Sequence, residues 1–199
     1  MKKDLKKLLD FVKFTHEIRN VRRAIILDGE NRENDAEHGY QLALVAWFLI
    51  ENDGLNLDKY RCVGMAMVHD IAEAYAGDTI AFASKKDLAT QRQKEEEAIA
   101  KLRENWPSFS SLHTLIEEYE HHKTPEGQFV YSLDKLIPII NNYLYEGKIW
   151  KKEGITLERI KEIKKGKVDE SAEVNEYYQE LLKILEKRVD LFGKNWGEL

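Results

Sequence analysis

The stretch MAMVHDIAEAYAGD, from Met65 to Asp78, places an imidazole and three carboxylates in a run that otherwise suits a buried helix. Its apolar residues recur at the spacing of a core-facing helix, and His69, Asp70 and Glu73 interrupt them. A buried carboxylate without a partner costs several kcal/mol. Two carboxylates beside an imidazole therefore predict a bound cation, for which a divalent transition metal is suited.

Helical signals continue along the rest of the chain. Asn34 and Glu37 form a capping-box pattern at the start of a second apolar helix, after a turn-rich loop at 27–34. A third helix is predicted up to about residue 76, and further helices cover roughly 87–105, 110–122, 127–147 and 170–190, with Pro138 as a kink. No convincing strand alternation appears. The chain is predicted to be an all-α, single-domain helical bundle over 1–199.

Composition limits the classes of function. The chain has 199 residues, 43% of them hydrophobic and 34% charged, and a formal net charge of -5. That charge does not favour nucleic acid, and the longest apolar run, 42–50, is too short to cross a bilayer. The one cysteine, Cys62, is predicted to be a core residue. A cytoplasmic protein without nucleic-acid or membrane partners is expected.

Two further polar residues stand in apolar helices. His38 follows the cap of the second helix, and Asp134 lies between apolar residues in VYSLDKLIPII. Each by itself could be a satisfied polar group of the core. Together with His69 and Asp70 they form a set of imidazoles and carboxylates on three helices, which predicts one site for Mn, Fe, Co, Ni or Zn.

These motifs resemble a known family. ENDAEH at 33–38, HDIAE at 69–73, GD at 77–78 and DKL at 134–136 are similar to the signature of HD-domain metal-dependent phosphohydrolases, and more narrowly to the bacterial 5'-deoxynucleotidase subgroup. The resemblance implies an HD-type bundle with a metal-site core at about 23–145 and a C-terminal helical extension at about 155–190.

The resemblance also implies residue roles. His38, His69, Asp70 and Asp134 would hold one divalent metal, Glu73 and Asp78 would be the catalytic carboxylates, and Arg23 would reach the substrate phosphate. Arg19 and Arg22 compete with Arg23 for that role, because only one or two of them can face the pocket. The subgroup carries tryptophan after the phosphate-binding arginine where this chain has Ala24, which leaves the sugar preference open.

The implied activity is hydrolysis of nucleoside 5'-monophosphates by attack of a metal-bound water. The alternatives are a phosphodiesterase or a nucleotide triphosphohydrolase of the same superfamily, or a non-catalytic metal- or nucleotide-binding protein. Lys85 and Lys86 are interpreted as a surface pair, and His121 and His122 as structural or pocket-rim residues. An apolar face near 129–150, with Trp47 and Trp150, suggests a homodimer.

Overall fold

A computed structural model describes residues 3–26, 31–77 and 85–193, and these residues form an α-helical fold. In the described part, two short strands precede the second helix. The helices are α1 Leu5–Ile18, α2 Asp35–Asn52, α3 Lys59–Val68, α4 Glu73–Ala76, α5 Lys85–Asn105, α6 Ser110–His121, α7 Pro125–Leu144, α8 Lys148–Lys152, α9 Leu157–Lys164 and α10 Ala172–Leu185. Two 3₁₀ turns, Val168–Glu170 and Val189–Leu191, complete these elements.

The strands correct the sequence analysis, which assigned 27–34 to a loop. Strand β1, Arg22–Ile26, pairs with strand β2, Arg32–Asn34, in antiparallel register, with Arg22 opposite Asn34. A three-residue strand is too short to show the alternation by which strands are recognised in a sequence. The pairing matters for the site, because it brings Arg23 beside the residues that lead into α2.

The third helix is also interrupted, contrary to the prediction. Helix α3 ends at Val68, and residues 69–72 form tight turns before α4 begins at Glu73. The backbone N–H groups of Ile71 and Glu73 donate to carbonyls three residues earlier, Val68 O and Asp70 O. Such three-residue turns are tighter than α-helical turns, so His69 and Asp70 lie at the end of α3.

Two hydrophobic clusters hold the helices around this turn. The larger one includes Leu42 of α2, Met65 of α3 and Leu133 of α7, each at most 1% exposed. The smaller one joins Phe14 of α1 to Leu102 of α5. Residues 69–72 connect the two clusters, because Met65 of α3 belongs to the larger cluster and Ile71 belongs to the smaller one.

Several other expectations can be compared with the fold. Cys62 is fully buried, as predicted. Trp150 is 2% exposed and stacks on Phe192, so it is a core residue and not part of an exposed face. Helix α7 continues through Pro138. Among the described residues, no helix is both long and apolar enough to cross a membrane.

Candidate metal centre and active site

Three of the predicted ligands converge in the core. One ligand atom from each of His38, His69 and Asp134 lies within 4.8 Å of the other two, and all three residues are buried. His38 Nε2 is 2.8 Å from Asp134 Oδ1, and His69 Nε2 is 3.6 Å from that same oxygen. Helix α2, the turn after α3 and helix α7 each contribute one member of this group.

Local structure accounts for the position of each group. The predicted capping box is present: Asn34 Oδ1 accepts from the Glu37 N–H, and Glu37 Oε2 accepts from the Asn34 N–H, each at 3.0 Å. It starts α2 just before His38. Asp134 lies on α7 between Leu133 and Leu136, both 1% exposed, so its carboxylate is held in the core by its apolar neighbours.

The orientation of His69 suits a metal ligand. Its Nδ1 lies 2.9 Å from the Ala66 carbonyl oxygen. When Nδ1 carries the proton and donates it to this oxygen, Nε2 keeps the lone pair that can bind a metal. That Nε2 is buried and has no hydrogen-bond partner among the described residues, although Asp70 Oδ2 is only 2.9 Å away. A buried imidazole nitrogen facing carboxylate oxygens is a donor set that fits a divalent transition metal.

The two oxygens of Asp134 face different partners. Oδ1 faces the histidines, whereas Oδ2 accepts from the Tyr119 hydroxyl at 2.7 Å and from Lys135 Nζ at 2.6 Å. Burial raises the pKa of Asp134, but Lys135, His38 and His69 outweigh burial and hold it well below the usual range. Asp134 is therefore an anion with one oxygen directed at the ligand cluster.

The charges of the cluster must be balanced by a cation. Burial lowers the pKa of His69, but Asp70 and Asp134 outweigh burial and raise it to about 10. Burial raises the pKa of Asp70, while His69 and Arg23 hold it below its ordinary value. Arg23 pairs with Asp70 and Lys135 pairs with Asp134, and the space between the two carboxylates beside His69 suits further positive charge, from a proton or from a metal ion.

Arg23 lies against the fourth predicted ligand. Its Nη1 donates to Asp70 Oδ2 at 2.6 Å and lies 3.4 Å from Asp35 Oδ1, and its Nε is 3.4 Å from Glu33 Oε2. Glu33 Oε2 is also 3.7 Å from His38 Nδ1. Burial raises the pKa of Glu33 to about 7 although Arg23 lowers it. The sequence analysis did not assign a role to Glu33 or Asp35, although Glu33 begins the ENDAEH motif.

A cavity of about 220 Å³ opens beside the ligand cluster. His69, Asp70 and Glu73 line it, and a second part of its wall comes from α5, α6 and α7. The residues of that wall are Glu95, Ile99, Tyr119, Glu120, Tyr131 and Lys135. Burial raises the pKa of Glu95 and of Glu120. None of these wall residues was singled out from the sequence, because only the packing of three helices brings them together.

The remaining candidates are either outside the described part of the chain or do not belong to the ligand cluster. Asp78 lies outside the described residues, as do the side chains of Lys85 and Lys86. Arg19 and Arg22 are exposed. The His121 Nδ1 contacts the Glu117 carbonyl oxygen of its own helix.

His122 adjoins the wall of the cavity. Its ring stacks on Tyr131, with ring centroids 4.1 Å apart, and its Nδ1 pairs with Glu170. The structural or pocket-rim role expected of His122 stays a prediction.

Comparisons with known proteins agree with this geometry. A family model described as HD domain matches residues 15–175. The 5'-deoxynucleotidase HDDC2 of Xenopus laevis is 36% identical over 145 residues, which cover 71% of this chain and 70% of that protein. The human HDDC2 is 34% identical over 143 residues, covering 70% and 68%.

A solved structure is similar over nearly the whole chain. The crystal structure of a predicted metal-dependent phosphohydrolase from Magnetospirillum magnetotacticum is 28% identical and has a TM-score of 0.79. The match covers 94% of this chain and 95% of that one.

We expect Asp134→Ala to lose bound metal, because the change removes a ligand oxygen from between His38 and His69. Elemental analysis after loading with Mn, Co or Zn measures the content. Asp10→Ala, at an exposed aspartate of α1, is the control and should retain a full equivalent. A full equivalent in Asp134→Ala would remove this residue from the ligand set.

Proposed function

The chain belongs to the HD-domain family, and we propose that it is a metal-dependent 5'-nucleotidase that releases phosphate from (deoxy)nucleoside 5'-monophosphates. The observation that carries this proposal is the buried cluster of His38, His69 and Asp134 at the wall of a cavity that Glu73 also lines. Relatives that are named 5'-deoxynucleotidases support the same class of reaction.

We assign His38, His69, Asp70 and Asp134 to one divalent metal. Asp70 belongs with the other three because its Oδ2 lies 2.9 Å from His69 Nε2. When bound, the metal would neutralise phosphoryl charge and lower the pKa of a water. The identity of the metal remains a choice among Mn, Co, Fe, Ni and Zn, since imidazole and carboxylate ligands accept all of these.

We assign proton transfer to Glu73. This carboxylate lines the cavity together with His69 and Asp70, so it can accept a proton from an attacking water and return it to the leaving alkoxide. Asp78 keeps the second catalytic role that the resemblance implies for it. A cytoplasmic location and the absence of nucleic-acid and membrane partners stay predictions from the sequence.

A panel of phosphate esters tests the proposed function. Chelator-stripped protein is assayed with Mn, Co, Ni, Mg or Zn on ribo- and deoxyribonucleoside 5'-monophosphates, nucleoside triphosphates and a phosphodiester. The proposal expects metal-dependent release of inorganic phosphate from the monophosphates. Hydrolysis confined to triphosphates or diesters would reassign the substrate, and nucleotide binding without turnover would indicate a binding protein.

Glu73→Gln is expected to retain the metal and to lose most turnover, because the amide keeps the shape of the side chain but cannot accept the proton. General acid–base help is worth about 10²–10⁴-fold in rate, and kcat should fall by that order. Glu117→Gln, on the exposed side of α6, is the matched control. Wild-type turnover in a metal-loaded Glu73→Gln protein would exclude Glu73 from the mechanism.

Arg23→Ala tests the proposed phosphate role of Arg23. A charge-assisted hydrogen bond is worth about 1.5–3 kcal/mol, so kcat/KM should fall at least about tenfold at unchanged metal content. The variant should also unfold at lower urea concentration, because Glu33 and Asp35, 2% and 3% exposed, would lose their cation. Arg22→Ala, whose guanidinium contacts only the Arg32 carbonyl among the described residues, should change kcat/KM less than twofold. Equal effects of the two variants would contradict the assignment.

We also propose that the protein is a homodimer, through a different face from the one predicted. An exposed apolar stripe runs along α2 and continues on α3, which packs against α2 at Gly39 and Met67. Its members are Tyr40, Leu44, Trp47, Phe48, Tyr60 and Met67, each between 41% and 72% exposed.

The area of this stripe fits a dimer contact. An aromatic side chain carries about 150–250 Å², so we estimate roughly 700 Å² of exposed apolar surface. The largest patch on a typical monomer is about 300–600 Å², while each partner of a standard interface buries about 800 Å². A second copy covers such a patch by two-fold pairing of the stripe with itself.

Phe48→Glu is expected to convert the dimer to a monomer, because it places two charges in the apolar contact. Sedimentation velocity on wild type and variant measures the change. Leu5→Glu, at another exposed leucine on α1, should remain dimeric. A wild-type monomer at tens of micromolar, or dissociation by Leu5→Glu alone, would contradict this interface.

A further inference from the structure

Lys135 is a charged residue of the cavity for which the sequence predicted no role. Its Nζ donates to Asp134 Oδ2 at 2.6 Å and to the Tyr119 hydroxyl at 3.3 Å. It also lies 4.9 Å from the centroid of the Tyr131 ring, within the range of a cation–π contact. These three contacts fix the ammonium at the cavity wall, one residue from the ligand carboxylate.

The cavity wall is rich in acid and poor in permanent cations. Asp70, Glu73, Glu95 and Glu120 contribute carboxyl groups to it. Lys135 is the only lysine or arginine in the part of the wall that the structure describes. Because like charges in a low-dielectric site repel strongly, a phosphate dianion entering here needs more positive charge than the wall provides without Lys135.

Arg23 does not replace Lys135 at this wall. Its guanidinium contacts Asp70, Glu33 and Asp35, and Arg23 is not among the described residues that line the cavity. The two cations are therefore on different sides of the cluster. Arg23 adjoins Asp70, while Lys135 adjoins Asp134.

The Lys135 ammonium can serve Asp134 and a ligand at the same time. An ammonium has three N–H donors, and two of them are used by Asp134 and Tyr119. No hydrogen-bond acceptor for the third lies within the described ranges, although the ammonium also contacts the Tyr131 ring. The Lys135 side chain is 29% exposed, whereas that of Asp134 beside it is 4% exposed, and Lys135 lines the cavity.

We propose that Lys135 binds a non-bridging oxygen of the substrate phosphate from the cavity wall, as a second protein cation beside Arg23 and in addition to the metal. This inference rests on the proposed function and adds a binding residue to it. Its ligand class is a phosphate monoester dianion, and inorganic phosphate presents the same oxygens. A role confined to holding Asp134 is the competing account, and it predicts an effect on metal content.

The test measures phosphate and metal separately. Inorganic phosphate is titrated into Mn-loaded wild type and Lys135→Met by calorimetry, and metal content is measured on the same samples. The phosphate Kd should rise about ten- to hundredfold, the range for a hydrogen bond to a charged group, with metal content unchanged. KM for a nucleoside monophosphate should rise in parallel, and Lys135→Arg should recover part of the affinity because it keeps the charge.

Two other variants separate the competing accounts. Lys167→Met removes a positive charge that interacts with Lys135. Because Lys167 does not line the cavity, this variant should leave the phosphate Kd within about twofold. Tyr119→Phe removes the other donor to Asp134 Oδ2 and keeps the ammonium, so its phosphate Kd should stay near wild type. An equal loss in Tyr119→Phe and Lys135→Met would overturn the proposal.

Further results distinguish phosphate binding by Lys135 from a role confined to positioning Asp134. Unchanged phosphate affinity in Lys135→Met, or loss of its metal, would overturn the proposal and leave Lys135 as a positioning residue for Asp134. If Lys135→Met does not fold, Lys135→Gln removes the charge while keeping a donor for Asp134, and the same limits apply. Failure of the wild type to hydrolyse any nucleotide would refute the proposed function itself, whereas full activity in Lys135→Met refutes only this inference.

Discussion

The structure depends on the burial of carboxylates beside imidazoles in its core. Asp134 is 3% exposed and lies against His38 and His69, while Asp70 contacts His69 from the other side. Arg23 pairs with Asp70 and Lys135 pairs with Asp134, and a cation between the two carboxylates and His69 would compensate them further. The orientation of His69, with Nδ1 at the Ala66 carbonyl and Nε2 toward the carboxylates, favours a metal ion as that cation. The surrounding helices and strands hold these carboxylates and imidazoles in position.

The support comes from elements that are distant in sequence. The β1–β2 hairpin brings Arg23 to Glu33 and Asp35, and the capping box that follows starts α2 just before His38. Tight turns after α3 end that helix at the HD pair. Helix α7 contributes Asp134 to the cluster that could hold a metal and Lys135 to the wall of the cavity. Two neighbouring residues of one helix are thus the proposed metal ligand and the proposed phosphate-binding group, so our proposals place metal and phosphate side by side on α7.

The sequence predicts the ligands better than it predicts their surroundings. His38, His69 and Asp134 are recognisable because polar residues in apolar helices are unusual, and the structure brings them together. The pairing of β1 with β2 could not be predicted, since a three-residue strand is too short to show an alternation of apolar and polar residues. Lys135 looks like an ordinary surface lysine in the sequence, and only the packing of α6 against α7 shows that it lies between Tyr119 and Tyr131. The sequence also grouped Trp47 with Trp150 in one apolar face, because apolar residues of a buried and of an exposed helix face look alike in a sequence, whereas Trp150 is buried and Trp47 is exposed.

The central claim is that His38, His69, Asp70 and Asp134 hold one metal ion in the core. Anomalous diffraction from crystals grown with cobalt, recorded on both sides of the metal absorption edge, tests it most directly. The account predicts one strong anomalous peak, about 2.0–2.3 Å from His38 Nε2, His69 Nε2 and an Asp134 carboxylate oxygen, with Asp70 completing the protein ligands. A peak elsewhere, or no peak among these residues in cobalt-loaded protein, would contradict it.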